Sequence, residues 1–197
     1  MKKNNINIPN ILTMIRIALV PIILVLLLVD HYISSIDKDL SRILFSVSGA
    51  IFIIASITDF IDGWYARKYN LVTKFGKFFD PIADKLLVNC ALILFAAFNI
   101  LPVWITIVLI LRDTIVDFVR MILSSNNITL AAGMSGKLKT VFQMIGLSIL
   151  FFINTKFNNW TEFSWQNQLV LIPMYIATFF SVYSGVVYFV KAKPNLF

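Results

Sequence analysis

The run ILTMIRIALVPIILVLLLV, residues 11–29, decides the fold class. As a helix rising 1.5 Å per residue it covers about 28 Å, close to the roughly 30 Å of a bilayer's hydrocarbon, and Arg16 is its single charge. Lys2 and Lys3 precede it, as they would in a secretory leader. The run is long for a leader, however, carries Arg16 and is followed by no small-residue cleavage pattern, so it reads as a retained first span. Comparable apolar stretches recur at about 42–67, 81–99, 102–123, 136–154 and 168–190, which with 9–30 use nearly the whole chain. The expectation is an all-α, polytopic integral membrane protein with six transmembrane helices in a single domain, residues 1–197. Composition agrees: 59% of residues are apolar and 14% charged, with a mean hydropathy of +0.85. Soluble domains run at about 45–50% and 25%.

The positive residues set the expected orientation. With the N-terminus inside, the inner side holds Lys2, Lys3, Arg67, Lys68, Lys74, Lys77, Lys85, Lys137, Lys139, Lys191 and Lys193. The outer side holds Lys38, Arg42 and Lys156. Eleven against three places both termini in the cytoplasm. Trp160 and Trp165 fall in the last outer loop, where interfacial aromatics belong. No connection is long enough for a second domain, and no internal repeat stands out, which removes support for an inverted-repeat transporter.

One cysteine and one histidine exclude a disulfide framework, a Cys-based zinc site and a His cluster. Any metal must be held by oxygen. Asp59 and Asp62 lie near the inner end of the second span, and Asp80 and Asp84 at the start of the third. Residues three or four apart in a helix share a face, and the two spans leave and re-enter on one membrane side, joined by only thirteen residues, Lys68 to Asp80, so the pairs can face each other. An Asp at a bilayer's centre costs about 2.5–3.5 kcal/mol, and less near an interface. Pairing with Arg67, Lys68, Lys77 or Lys85 would account for a lone Asp. Four together suit hard cations such as Mg²⁺ or Mn²⁺, with room for two.

The spacing adds recognition. Asp59, two residues, Asp62, Gly63, two residues, Ala66, Arg67, eight residues, Gly76, three residues, Asp80, three residues and Asp84 resemble the signature of the CDP-alcohol phosphotransferase family at all eight positions. These membrane enzymes transfer a phosphatidyl or similar group from a CDP-linked donor to an alcohol. The resemblance implies that Asp59, Asp62, Asp80 and Asp84 hold two divalent ions, with Asp84 also the general base. Gly63, Ala66, Arg67 and Gly76 would take the donor. Small residues let a nucleotide approach the helix backbone, and Arg67 offers a planar fork for phosphate. Close helix packing and interfacial anchoring are the ordinary readings of such residues.

Two softer matches extend the likeness toward bacterial phosphatidylglycerophosphate synthases: Pro9, Asn10, Thr13 and Arg16 at the first span, and Ser135 to Thr140 with Gln143 at the fifth. Asn10 and Thr13 join the implied donor site. The fourth span carries Arg112, Asp113, Asp117 and Arg120 on one stripe, either a salt-bridge set or part of an anion site. Arg112, Arg120, Ser135, Lys137 and Lys139 are the candidate ligands of an acceptor phosphate, Lys137 ahead of Lys139, for which membrane anchoring competes. Extra cations favour an acceptor that itself carries phosphate. Glycerol 3-phosphate fits, with CDP-diacylglycerol as donor and CMP as product. Inositol phosphate fits by charge alone, serine and phosphatidylglycerol are further family acceptors, and a cation transporter is the rival from another class. The resemblance also implies a homodimer in the bacterial cytoplasmic membrane, with the site facing the cytoplasm. No feature points to nucleic acid. Cys90 and His31 read as packing and solvated residues.

Overall fold

The computed structural model describes residues 8–68, 74–126, 128, 133–153 and 165–195. Within its helices, the side chains of residues 8–10, 60, 62–67, 74–78, 80, 81, 166, 167 and 195 stand outside the description. The described residues form six α-helices and a terminal 3₁₀ turn: α1 Ile8–Ile33, α2 Lys38–Lys68, α3 Lys74–Ala97, α4 Val103–Ser125, α5 Met134–Phe152 and α6 Trp165–Ala192. Ile11–Ile33, Lys38–Asp59 and Gln168–Ala192 are long and apolar enough to cross a membrane. α4 departs from that pattern because Arg112, Asp113, Asp117 and Arg120 interrupt it, and α5 because it is short and opens with Lys137 and Lys139. α3 starts seven residues earlier than the apolar count predicts. Hydropathy sees only the part of a helix that lipid would cover, and the polar turn Lys74–Asp80 continues the same helix.

The chain divides into two compact units, residues 1–94 and 95–197. In the first, α1 and α2 form a hairpin around a seam of Thr13, Arg16, Val20, Ile23, Leu27 and Asp30 from α1, and Ser41, Phe45, Ser48, Phe52 and Ala55 from α2, all buried. Alternating steps of three and four average 3.5 residues, the spacing at which two helices keep one face in mutual contact. The connection Ser34–Asp37 is short, and its last residue starts α2. The Asp37 carboxylate accepts the backbone N–H groups of Asp39 and Leu40, both at 3.0 Å, satisfying two donors that the first helical turn leaves unpaired. Just inside the loop, the Ser41 hydroxyl donates to buried Asp30 at 2.5 Å.

In the second unit, the end of α3 turns into α4 through Asn99, whose φ of 57° is left-handed. Asn99 N–H bonds the carbonyl of Ala96 at 3.2 Å and Ile100 N–H that of Phe95 at 2.8 Å, the double closure that ends many helices, and Pro102 follows. α6 packs against both α4 and α5. Leu171, Met174, Ala177, Ser181, Ser184, Tyr188 and Ala192 are its buried stripe. Gly146 sets the approach of α5: a Cβ there would lie 2.5 Å from the Met174 sulfur and 3.4 Å from its backbone nitrogen. Gly185 does the same for α4, where a Cβ would come within 3.2 Å of Arg112 Cγ.

Candidate active site

At the far end of the hairpin from its loop, Arg16 donates to Asp59. The arginine is 2% exposed and the carboxylate 34%. Val20, Ile23 and Leu27 of α1 and Phe45, Phe52 and Ala55 of α2 fill the seam between its polar ends, so their packing fixes where this pair sits. Asp59 and Asp62 lie on one continuous helix, α2, and Asp80 and Asp84 on another, α3, so each pair shares a face as the spacing predicts. Asp84 is half-buried. The side chains of Asn10, Asp62, Gly63, Ala66, Arg67, Gly76 and Asp80 lie outside the described residues. Thr13 is buried in the α1–α2 seam beside Arg16.

The oxygen donors of Asp59 and Asp84 fit a hard divalent ion. Asp59 and Asp84 offer oxygen only, both are accessible in part, and neither His nor Cys accompanies them. The guanidinium bonded to one Asp59 oxygen holds that carboxylate's rotamer and offsets part of its charge before any ion arrives.

The second unit gathers the other predicted residues. Arg112 projects from α4 to α6 and is held at three points. Its Nε donates to the Ser181 carbonyl at 3.1 Å, one terminal nitrogen to Ser184 Oγ at 2.6 Å, and the other to Asp113 Oδ1 at 2.9 Å. Ser184 in turn donates to the Ser181 carbonyl at 3.1 Å, so its oxygen is oriented to receive the guanidinium. The second Asp113 oxygen takes Lys139 Nζ at 2.5 Å from α5, and Lys139 is 6% exposed. One carboxylate thus ties α4 to α5, while its neighbour Arg112 ties α4 to α6. Gly185 makes this possible, because any side chain there would meet the arginine's stem.

Between these three helices lies a small, partly open cleft, lined by Arg112 and Arg120 of α4, Gly133, Ser135 and Gly136 at the start of α5, and Ser184, Val187, Tyr188 and Lys191 of α6. Three cations and no carboxylate are among these described lining residues. The α5 N-terminus adds to the positive field: Gly133 precedes the helix, no side chain caps it, and the first-turn N–H groups carry partial positive charge. Arg112 has five N–H donors, of which the three bonds above use three. Arg120 extends over the Tyr188 ring, 5.4 Å from its centroid.

Of the five predicted acceptor ligands, Arg112, Arg120 and Ser135 line the cleft. Lys139 is buried on Asp113, and Lys137 is exposed and is not among the lining residues. The salt-bridge reading of the α4 stripe therefore holds for Arg112 and Asp113, while Arg112 also lines the cleft. Lys191, Tyr188 and Ser184 were missed. Lys191 reads from sequence as one more inner-side charge, yet Ser181, Ser184, Tyr188 and Lys191 recur at steps of three and four, a polar stripe legible in an otherwise apolar span.

This arrangement can be set against known proteins. The family description CDP-alcohol phosphatidyltransferase matches residues 6–188. The chain belongs to that family. Family members generally use divalent metal ions, in keeping with the oxygen donors above. A CDP-diacylglycerol--glycerol-3-phosphate 3-phosphatidyltransferase of Bacillus subtilis is 43% identical over 192 residues, covering 94% of each chain. The enzyme of the same name from Rickettsia typhi is 36% identical over 187 residues, 95% of this chain and 97% of the relative. A probable phosphatidylglycerophosphate synthase of Mycobacterium tuberculosis is 36% identical over 143 residues, 73% of this chain and 65% of the relative. The eight positions that resemble the family's signature fall on two helices, Asp59 to Arg67 on α2 and Gly76 to Asp84 on α3.

Proposed function

We propose that this protein transfers the phosphatidyl group of CDP-diacylglycerol to glycerol 3-phosphate, releasing phosphatidylglycerol phosphate and CMP. The observation that carries the acceptor assignment is the cation-lined, carboxylate-free cleft of α4, α5 and α6. An acceptor bearing a phosphomonoester needs such a place, and one ending in an amine or a neutral alcohol does not. Relatives that match over nearly their whole length bear the name of this reaction. The whole chain acts as one catalytic domain in this reading.

On the donor side, Asp59, Asp62, Asp80 and Asp84 would hold the divalent ions, Mg²⁺ or Mn²⁺, with Arg16 orienting Asp59. When bound, such ions neutralise a pyrophosphate and the CMP leaving group. The family resemblance gives Asn10, Thr13, Gly63, Ala66, Arg67 and Gly76 to the donor site, where Thr13, buried in the α1–α2 seam, would support it from behind. The Asp84 carboxylate takes the proton of the acceptor's hydroxyl as its oxygen bonds to the phosphatidyl phosphorus, and the bond from that phosphorus to CMP oxygen breaks. Arg112, Arg120, Ser135 and Lys191 grip the acceptor's own phosphate, which orients the reacting hydroxyl. Lys137, exposed near the start of α5, adds to the attracting field.

The six apolar stretches support six membrane spans, and the eleven-to-three division of Lys and Arg supports cytoplasmic termini and a cytoplasmic site. This orientation gives both water-soluble partners access. The family resemblance adds a homodimer. A panel of alcohols given to the purified protein with CDP-diacylglycerol and Mg²⁺ tests the proposal through CMP release. Turnover with glycerol 3-phosphate and not with glycerol is expected. Turnover with inositol phosphate or serine instead moves the chain to a sister specificity, and ion flux without any CDP-lipid points to a transporter.

A further inference from the structure

Tyr188 lines the cation-rich cleft, is 8% exposed, and its hydroxyl is a buried polar atom with no hydrogen-bond partner among the described residues. Buried hydroxyls are rarely left so, because the group loses water and gains nothing. The ring is fully accounted for: it packs with Val116, Val119, Leu123 and Ala192, and it lies beneath Arg120. The phenolic oxygen is the part left without a task. An apolar environment alone would suit phenylalanine better.

We infer that Tyr188 is an acceptor-binding residue whose hydroxyl donates a hydrogen bond to a phosphomonoester held between Arg112, Arg120 and Lys191. Guanidinium and ammonium groups fix an anion by charge, and Arg120 is itself exposed and long. A phenol buried on a packed ring is different. It has two side-chain torsions and a rigid frame, so it places one donor at a set point and gives the cleft a preferred position for the anion. A neutral donor also asks for an acceptor oxygen and leaves the charge balance untouched. Tyr188 thus sharpens where the phosphate sits, and through it where the reacting hydroxyl points. This inference rests on the cleft being the acceptor site.

Tyr188→Phe isolates the hydroxyl, since the ring, its packing and the stacking of Arg120 all stay. The full chain in detergent is titrated with inorganic phosphate and with glycerol 3-phosphate, read by the ligand-induced rise in melting temperature, alongside acceptor KM. Without ligand, Tyr188→Phe melts at or above the wild-type temperature, because an unsatisfied group has been removed. Both ligands then bind roughly ten-fold more weakly or worse, as expected for losing a hydrogen bond to a charged group. The KM for CDP-diacylglycerol stays unchanged. Unaltered affinity for inorganic phosphate in Tyr188→Phe overturns the inference. So does a Tyr188-dependent shift produced by micellar phosphatidic acid and not by soluble phosphate, which would assign the hydroxyl to a lipid. Lys191→Gln, at an exposed position, separates the two layers of argument. If it weakens phosphate binding and Tyr188→Phe does not, only the role of Tyr188 falls. If neither does, the cleft is not the anion site.

Discussion

Each half of the molecule buries an arginine against an aspartate, and the two pairs leave opposite residues of charge around them. In the α1–α2 hairpin, Arg16 meets Asp59, one of four signature carboxylates on α2 and α3. In the α4–α6 unit, Asp113 is shared by Arg112 and Lys139, and Arg120 and Lys191 stand nearby, with no acid among the described residues that line the cleft. The first neighbourhood is rich in carboxylates, a setting that suits cations. The second presents cations, a setting that suits an anion. The proposed reaction, between a pyrophosphate and a phosphorylated alcohol, would draw on both.

The contrast can be broken from either side. Asp84→Asn strikes the proposed general base, and kcat should fall by roughly 10²–10⁴-fold while donor binding persists, measured by CMP release and by retention of a CDP-lipid analogue. Arg112→Lys strikes the basic half. Lysine cannot reproduce a fork that serves Ser181, Ser184 and Asp113 together, and acceptor KM should rise roughly 10–100-fold with little change in donor KM.

Asp113→Asn tests whether the carboxylate is structural. It removes the negative charge that buried Lys139 meets, costing about 3 kcal/mol in denaturation, and Asp113→Asn with Lys139→Met should recover much of that loss. Ser41→Ala removes the bond to Asp30 at the far end of the hairpin and should cost about 1 kcal/mol with no change in either KM. Lys137→Ala is the mildest. Its side chain is exposed and outside the cleft lining, so acceptor KM should rise by no more than about three-fold, and the rise should vanish at high salt.

Much of this was legible in the sequence. Three helices carry runs long and apolar enough to be read directly, and the Asn99 turn before Pro102 was visible as a break. The start of α3 was not, because polar helix outside the apolar window leaves no hydropathy signal. The eight-position signature pointed to the donor chemistry without any coordinates. On the acceptor side, the positions of Arg112, Arg120 and Ser135 were found by charge and by likeness. Sequence put Lys137 ahead of Lys139 and gave Lys139 to membrane anchoring, whereas the packing of α5 buries Lys139 on Asp113, a contact with no signal in a chain where residues two apart on a helix point in different directions. Tyr188 and Lys191 were hidden for a related reason. An aromatic and a terminal lysine are ordinary at the end of an apolar helix, and only the approach of α4 and α5 turns them toward a common space.

The hairpin seam has a last consequence. Asp30 and Ser41 clasp it at one end and Arg16 and Asp59 at the other, with fourteen residues of α1, about 21 Å, between the two clasps. Sliding one helix past the other by a single turn would part both couples at once. The level of Asp59 along α1 is therefore pegged at two points on a stiff rod, and the carboxylate proposed as an ion ligand is held in register before anything binds it.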